Sequence, residues 1–335
     1  MYDDKIVLVT GGTGSFGNYI VHRLLKKSVR EIRILSRDEK KQYDMRIHYK
    51  NSPKLRFFIG DIRDYSRVDE VMEDVDIVYQ AAALKHVSEC EKSPFEAVKT
   101  NVIGVQNIIS ASIKHKVKKV ICVSTDKAVK PVNVMGMTKA LQERLMLSAN
   151  LAPENKGTIF AVVRYGNVLL SRGSVVPYFR KLLKEGETIT ITDEKMTRFL
   201  LTLEDAVDLV MFATENATGG EIFVKKAPSA YIVDLAKVLC MEANKPFEYK
   251  VIGKLPGEKL DEILITDEEL QRCEDKGDYF IIHPWWKKVK FSDITYEYSS
   301  GNNIIRDIPT IQSLIAEADK KVSEVHVEKG EFSKI

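Results

Sequence analysis

Residues 5 to 17 read KIVLVTGGTGSFG, a strand-length apolar run closed by a glycine-rich turn, and Asn18 to Lys27 follow in helical pattern. A side chain at Gly11, Gly14 or Gly17 would hold the backbone away from a bound group. Without one, the turn can close on a pyrophosphate whose charge meets the N-terminus of the next helix. A glycine triplet alone is weak evidence, so its weight comes from its place at the first strand-to-helix turn. Gly11, Thr13, Gly14, Ser15, Phe16 and Gly17 are the expected contacts of a dinucleotide's phosphate side.

Apolar runs of strand length recur at Lys5 to Thr10, Glu31 to Ser36, Leu55 to Gly60, Asp76 to Ala81, Lys119 to Ser124 and Thr158 to Tyr165. Helix-length segments separate them, which predicts an α/β fold: a doubly wound, Rossmann-type parallel sheet with helices on both faces. KIVLVT and KVICVS are apolar at consecutive positions, as strands covered on both sides are. After Tyr165 the rhythm loosens, with a helix near Val176 to Lys184, a strand at Thr188 to Thr192 and a helix near Leu203 to Thr214. Residues 1–165 thus read as a dinucleotide-binding domain and 166–281 as a smaller C-terminal substrate lobe, some of whose segments return to the main sheet. Residues 282–335 read as an arm or subunit contact.

The 51 basic and 48 acidic residues are well mixed and leave a formal charge of +3, so no field gathers nucleic acid or membrane lipid. Cys90, Cys122, Cys240 and Cys273 lie far apart with no histidines at metal-ligand spacing. They read as reduced thiols of a cytoplasmic protein, with no metal site. The N-terminal stretch is neither a signal peptide nor a membrane span, and no other stretch is long enough to be one.

The GxxGxxG spacing is similar to that of the short-chain dehydrogenase/reductase superfamily. At the end of the second strand, Ser36 and Arg37 suit a ribose 2′-phosphate, whereas a carboxylate would suit a free 2′-hydroxyl. Asp38 comes one position late, so NADP is favoured over NAD, and the alternative is that Arg37 is a solvated charge. Asp61 and Ile62 resemble the pair that meets the adenine amino group. Ala81, Ala82 and Ala83 leave room for the cofactor at the fourth strand's end.

The fifth strand ends in Ser124, Thr125, Asp126 and Lys127, and Met135 and Lys139 then fall at i and i+4 of a helix. In the superfamily those two positions usually hold YxxxK; here the tyrosine is absent. STDKA, AAALKHV, RYGNVLLSRGSVVP, MTRF and PGEK together narrow the match. Over residues 1 to about 280 the chain resembles the UDP-N-acetylglucosamine 4,6-dehydratases, especially their capsular branch with MxxxK. These are extended short-chain dehydrogenase/reductases of bacterial polysaccharide and glycan biosynthesis.

The resemblance implies oxidation of the sugar at C4, which acidifies C5, then loss of the C6 hydroxyl and return of the hydride to C6. It assigns Lys127 as the C5 base, which asks for a depressed lysine pKa, and Asp126 as the acid at C6. Met135 has no proton to exchange and can simply be core filler. Thr125 is then expected to hold the C4 hydroxyl while Asp126, Lys127 or water takes its proton, and Lys139 to orient the nicotinamide ribose. Lys85, Asn167, Arg198 and Glu258 match UDP-sugar contacts, Arg198 at the diphosphate. The family often carries arginine before its PGEK glycine-glutamate element, where this chain has Leu255-Pro256, so one contact there is lost or moved, to Lys254 for instance. The resemblance also implies a homo-oligomer, dimer or hexamer, with Trp285 and Trp286 available for a contact. C5 inversion follows from the capsular match rather than from any residue. A UDP-hexose 4-epimerase and a non-catalytic dinucleotide-binding protein are the alternatives.

Overall fold

A computed structural model describes residues 1–171, 173–287 and 296–325, with the side chains of 323–325 excepted. All six expected strands form: β1 (Ile6–Thr10), β2 (Glu31–Ser36), β3 (Leu55–Ile59), β4 (Ile77–Gln80), β5 (Lys119–Val123) and β6 (Ile159–Arg164). They pair in parallel in the order β3-β2-β1-β4-β5-β6. The order reverses between β1 and β4, the crevice where open α/β sheets bind ligands. Strand Ile222–Lys225 extends the sheet parallel to β6, and Tyr279–Ile282 and Cys273–Lys276 finish it antiparallel.

Seven α-helices lie between Ser15 and Ser148: α1 (Ser15–Leu25), α2 (Glu39–His48), α3 (Tyr65–Met72), α4 (Val87–Lys92), α5 (Pro94–Val98), α6 (Gly104–Lys114) and α7 (Val134–Ser148). Strands β1, β2 and β4 are buried almost throughout, with Val7, Leu8, Val9, Ile32, Ile34 and Val78 fully enclosed. That explains their unbroken apolar runs. A π-type turn at Lys99–Ile103 joins α5 to α6 and carries Asn101 inward. Such turns are frequent at functional sites.

A second apolar core lies apart from the sheet. Val176, Phe179, Ile189, Ile191, Leu235 and Leu239 pack there with Ile311, Ile315 and Ala318 of the helix Ile308–Val325. Burying one such aliphatic side chain is worth about 1.5–3 kcal/mol. The segment expected to be an arm thus returns to the body of this chain: Tyr298–Ser299 pairs with Ile263–Ile265, and Ile308–Val325 closes the second core. Part of it, 288–295 and 326–335, lies outside the described residues. The four cysteines are free and buried, and among the described residues no helix is long and apolar enough to cross a membrane.

Candidate active site

At the β1–α1 turn, Gly11 has φ +65°, and a Cβ there would lie 3.0 Å from the backbone of Ala82. A Cβ at Gly17 would lie 2.4 Å from the backbone of Gly12, so only glycine lets α1 pack against the turn. Gly14 is exposed, its amide bonds to Gly11 O at 2.9 Å, and it begins α1 with no side-chain cap. The start of α1, at Ser15 and Phe16 and next to the buried Thr13, thus carries no side-chain cap, and helix starts of this kind receive anions. A glycine cradle with an uncapped helix start fits a dinucleotide pyrophosphate.

Around this cradle, Thr10 Oγ1 accepts from the amides of Ala81 and Ala82 at 3.2 Å each, fixing the chain just before the half-buried Ala83. Ser36 is pinned by Gln42 Nε2 at 3.0 Å. Arg37 is more than half exposed and 3.7 Å from Asp61. Asp38 serves another purpose: it caps α2 through Lys41 N at 3.0 Å and pairs with the Lys41 ammonium. Burial would raise the Asp61 pKa, but Arg63, bonded through its backbone and guanidinium, holds it below the usual range with help from Arg37. Ile62 is buried against Gly104, where a Cβ would clash at 2.7 Å.

The reactive segment follows β5. Asp126 N bonds to Tyr165 O at 3.1 Å, which seats the turn on the end of β6. Thr125 Oγ1 donates to Asp126 Oδ1 at 2.8 Å and Lys127 Nζ donates to the same oxygen at 3.1 Å. Asp126 is fully buried, and among the described residues its Oδ2 has no hydrogen-bond partner. Asn133 caps α7 through Gly136 N, and a Cβ on Gly136 would strike Lys127 O at 2.3 Å, so α7 lies directly against the reactive turn. Lys139 Nζ bonds to Val123 O at 2.7 Å and Gln142 Oε1 at 3.0 Å, and burial lowers its pKa. Met135 packs in a small apolar cluster with Cys90 and Ala97, the core-filler arrangement.

Two expectations need correction. Burial pulls the Lys127 pKa down, but the carboxylates of Asp126 and Glu262 outweigh it and hold the ammonium above its ordinary value. The depressed lysine anticipated from sequence is therefore absent in this arrangement. Arg198, expected at a diphosphate, is buried and turned inward, donating to Thr197 O, Leu260 O and Lys259 O at 2.7, 3.0 and 3.1 Å. It fastens the PGEK segment rather than presenting an open fork.

That segment brings in residues that sequence reasoning does not single out. Glu262 Oε1 lies 3.1 Å from Lys127 Nζ and 3.8 Å from Arg198 Nε, and its Oε2 lies 3.7 Å from Lys259 Nζ. Burial lowers the Lys259 pKa, with the Glu262 carboxylate opposing it. A signal for Glu262 is present in the chain, an acid four residues after Glu258 leading into the apolar run ILI. Glu258 itself closes its own loop through Leu255 N at 3.0 Å, and Gly257 O accepts from Asn133 Nδ2 at 2.8 Å. Asn167 begins a short strand beside Thr197–Leu201, its buried Oδ1 without a hydrogen-bond partner among the described residues, and Lys85 lies exposed after β4. Among the described residues, Asp126, Glu262 and Asn167 each keep a buried oxygen able to accept a further hydrogen bond.

The chain is similar to known proteins along most of its length. A protein of Rickettsia canadensis named UDP-glucose 4-epimerase is 50% identical over 286 residues, 84% of either chain. The solved structure of Pen from Bacillus thuringiensis superposes with a TM-score of 0.90 at 39% identity, covering 96% of this chain and 99% of the other. DesIV, a dTDP-glucose 4,6-dehydratase from Streptomyces venezuelae solved with NAD and TYD bound, shares the fold. Its TM-score is 0.69 at 20% identity, covering 76% of this chain and 86% of the other. Residues 7–284 match the family described as Polysaccharide biosynthesis protein, and with relatives half identical over most of the sequence, this chain belongs to that family.

Proposed function

We propose that this chain removes water from UDP-N-acetylglucosamine to give a UDP-4-keto-6-deoxy-N-acetylhexosamine, with inversion at C5, in bacterial surface polysaccharide or glycan synthesis. The observation that carries the reading is the Asp126–Lys127 ion pair, 3.1 Å across, beside α7 at the carboxyl end of β5. An acid and a base side by side are what elimination across C5 and C6 requires. The glycine cradle fits a nicotinamide dinucleotide, NADP rather than NAD because Arg37 is available to a 2′-phosphate. When bound, that cofactor supplies a hydride acceptor at C4 and a hydride donor at C6.

The residues of the chain move the protons. Thr125 Oγ1 already donates to Asp126 Oδ1, so a C4 hydroxyl bonded to Thr125 has a two-step path to the carboxylate, bypassing Met135. Asp126, loaded in this way, protonates the departing C6 oxygen. Lys127 takes the C5 proton, Lys139 orients the nicotinamide ribose, and Lys85, Asn167 and Glu258 line the UDP-sugar side. The enzyme works in the cytoplasm as a homo-oligomer.

The name carried by the Rickettsia relative favours a second reading, 4-epimerisation. Incubation with UDP-N-acetylglucosamine and NADP separates the two: a product lighter by one water supports dehydration, and an isomer of unchanged mass supports epimerisation. No turnover on any nucleotide sugar would leave a dinucleotide-binding protein without catalysis. A proton spectrum in deuterated water reports C5 stereochemistry in the same sample, and dehydration that survives Lys127→Ala overturns the assigned base.

A further inference from the structure

Lys127 faces two carboxylates, and only one is its neighbour in the chain. Glu262 reaches it from the other side, 3.1 Å from Nζ, on a backbone held from several directions. Glu262 N bonds to Ser300 Oγ at 2.8 Å and Ser300 N bonds to Glu262 O at 2.8 Å. Ser300 Oγ also meets Thr197 Oγ1 at 2.6 Å, and Leu260 O accepts from Thr197 N at 3.0 Å. Glu262 is 2% exposed, and among the described residues its Oε2 has no hydrogen-bond donor, only the Lys259 ammonium 3.7 Å away. Leaving a buried carboxylate oxygen without a hydrogen bond is costly, so a scaffold built to deliver one calls for a use.

The proposed reaction supplies the use. Lys127 is held as an ammonium, yet as the C5 base it must first be an amine. Asp126 is not free to take that proton if it carries the one from C4. We propose that Glu262 is a positioning residue for Lys127, holding it charged between turnovers and receiving its proton when the sugar fills the site. This rests on the reading that Lys127 is the C5 base. An N–H bond breaks at Nζ and an O–H bond forms at Glu262 Oε1, and exclusion of water by the sugar favours the neutral pair over the ion pair.

The proton count closes. The C4 hydroxyl proton passes to Asp126 and leaves in water. The Lys127 proton passes to Glu262 and the C5 proton to Lys127, and its bonding pair stays with the sugar as the enolate. One of these two protons returns to C5 as the hydride enters C6, and the other re-forms the Lys127 ammonium beside the Glu262 carboxylate. The groups facing Lys127 are Asp126 on its own turn, Glu262 and Lys259 on the PGEK side, and Arg198 on the strand between them. These two cations flank the Glu262 carboxylate, Arg198 Nε 3.8 Å from Oε1 and Lys259 Nζ 3.7 Å from Oε2.

The test compares the wild-type enzyme with Glu262→Gln and Glu262→Asp in two measurements. In the first, without substrate, dinitrofluorobenzene labelling of Lys127 is followed against pH by peptide mass. The glutamine variant lowers the labelling midpoint, so Lys127 reacts about tenfold faster at a fixed pH for each unit moved; the aspartate variant stays nearer wild type. In the second, kcat of the wild type is flat between about pH 7 and 9. The glutamine variant loses about 100-fold at pH 7, with KM within about twofold, and regains about tenfold per pH unit as solvent takes the lysine proton. The aspartate variant recovers most of the loss at pH 7.

A loss equal at every pH, or no loss, overturns the proposal, as does an unmoved labelling midpoint. If the glutamine variant does not fold, the aspartate variant decides on the same two criteria, with smaller shifts in the same direction. If the wild type does not dehydrate its sugar, the reading of function fails. Labelling then decides whether Glu262 governs the charge of Lys127.

Discussion

Arg164 and Glu143 face each other through two parallel hydrogen bonds, Nε to Oε1 at 3.0 Å and Nη2 to Oε2 at 2.7 Å, both residues being almost wholly buried. The same guanidinium bonds both oxygens of Glu269 at 2.9 Å, and Ser124 Oγ donates to Glu143 Oε1 at 2.5 Å. One arginine thus ties the end of β6 to α7, to the start of the reactive segment and to the turn after Ile263–Ile265. Removing it strands two buried carboxylates. Arg164→Leu is expected to cost about 3–5 kcal/mol in urea unfolding, and a loss below about 1 kcal/mol would show the group to be dispensable.

Acid should weaken the same group. Burial raises the Glu269 pKa, but Arg164 outweighs it and the carboxyl titrates below its ordinary value. A depressed carboxylate contributes stability that is present above its unfolded pKa, about 4.3, and is lost as pH falls through the lower folded value. The urea midpoint should therefore show no contribution from Glu269 to its slope between about pH 7 and 5, and should decline below about 4.3. In Glu269→Gln the acid decline should be shallower, and an unchanged slope would assign it to other carboxylates.

Met135 tests whether the missing tyrosine position is reactive or structural. It is buried beside Cys90 and Ala97. Met135→Leu is expected to cost less than about 1.5 kcal/mol and Met135→Ala about 2–5 kcal/mol, with turnover of the leucine variant close to wild type. Met135→Tyr places a hydroxyl among apolar side chains and should lower stability without a large gain in rate. A rise in turnover by orders of magnitude, with the same product, would instead mean that oxidation at C4 is compromised in the natural sequence.

Arg37 tests the proposed preference for NADP. Its side chain is 58% exposed, so replacing it should shift stability by no more than about 0.5 kcal/mol. A charged hydrogen bond to a 2′-phosphate is worth about 1.5–3 kcal/mol, so Arg37→Ala should weaken NADP binding about 10–100-fold and leave NAD within about threefold. Calorimetric titration of both cofactors checks this. Equal wild-type affinity for the two would leave Arg37 as a solvated charge.

The parts legible in the sequence are those fixed by local pattern. Strands β1 to β6 can be placed because covering on both faces demands consecutive apolar residues, and that demand is visible one segment at a time. The helix expected from Asn18 starts at Ser15, because the uncapped Gly14 allows it to begin inside the turn. The last helix is absent from the expected elements although Ile308, Ile311, Ile315 and Ala318 recur at helical spacing, because the tryptophans upstream suggest a contact arm instead. The partners of Glu262 and the inward turn of Arg198 are beyond any local pattern. Both depend on Ser300, Thr197 and Leu260 meeting across the fold, and the charge of Lys127 depends on that meeting.

The glycine turn supplies the last prediction, because two of its glycines are needed for different reasons. A Cβ on Gly17 would lie 2.4 Å from three backbone atoms of Gly12, none of which can move without displacing α1 from β1. Gly17→Ala should therefore melt well below the wild type. Gly14 is exposed, at φ −75° that any residue adopts, and its Cβ would meet only Gly11 O at 3.2 Å. Gly14→Ala should fold with a loss under about 1 kcal/mol, yet its methyl group stands where a pyrophosphate must approach the amides of α1. Its affinity for NADP should fall at least about tenfold, near 1.4 kcal/mol, in calorimetric titration. If Gly14→Ala binds as tightly as the wild type, the phosphates do not meet the N-terminus of α1, and the cofactor must lie elsewhere along the crevice between β1 and β4.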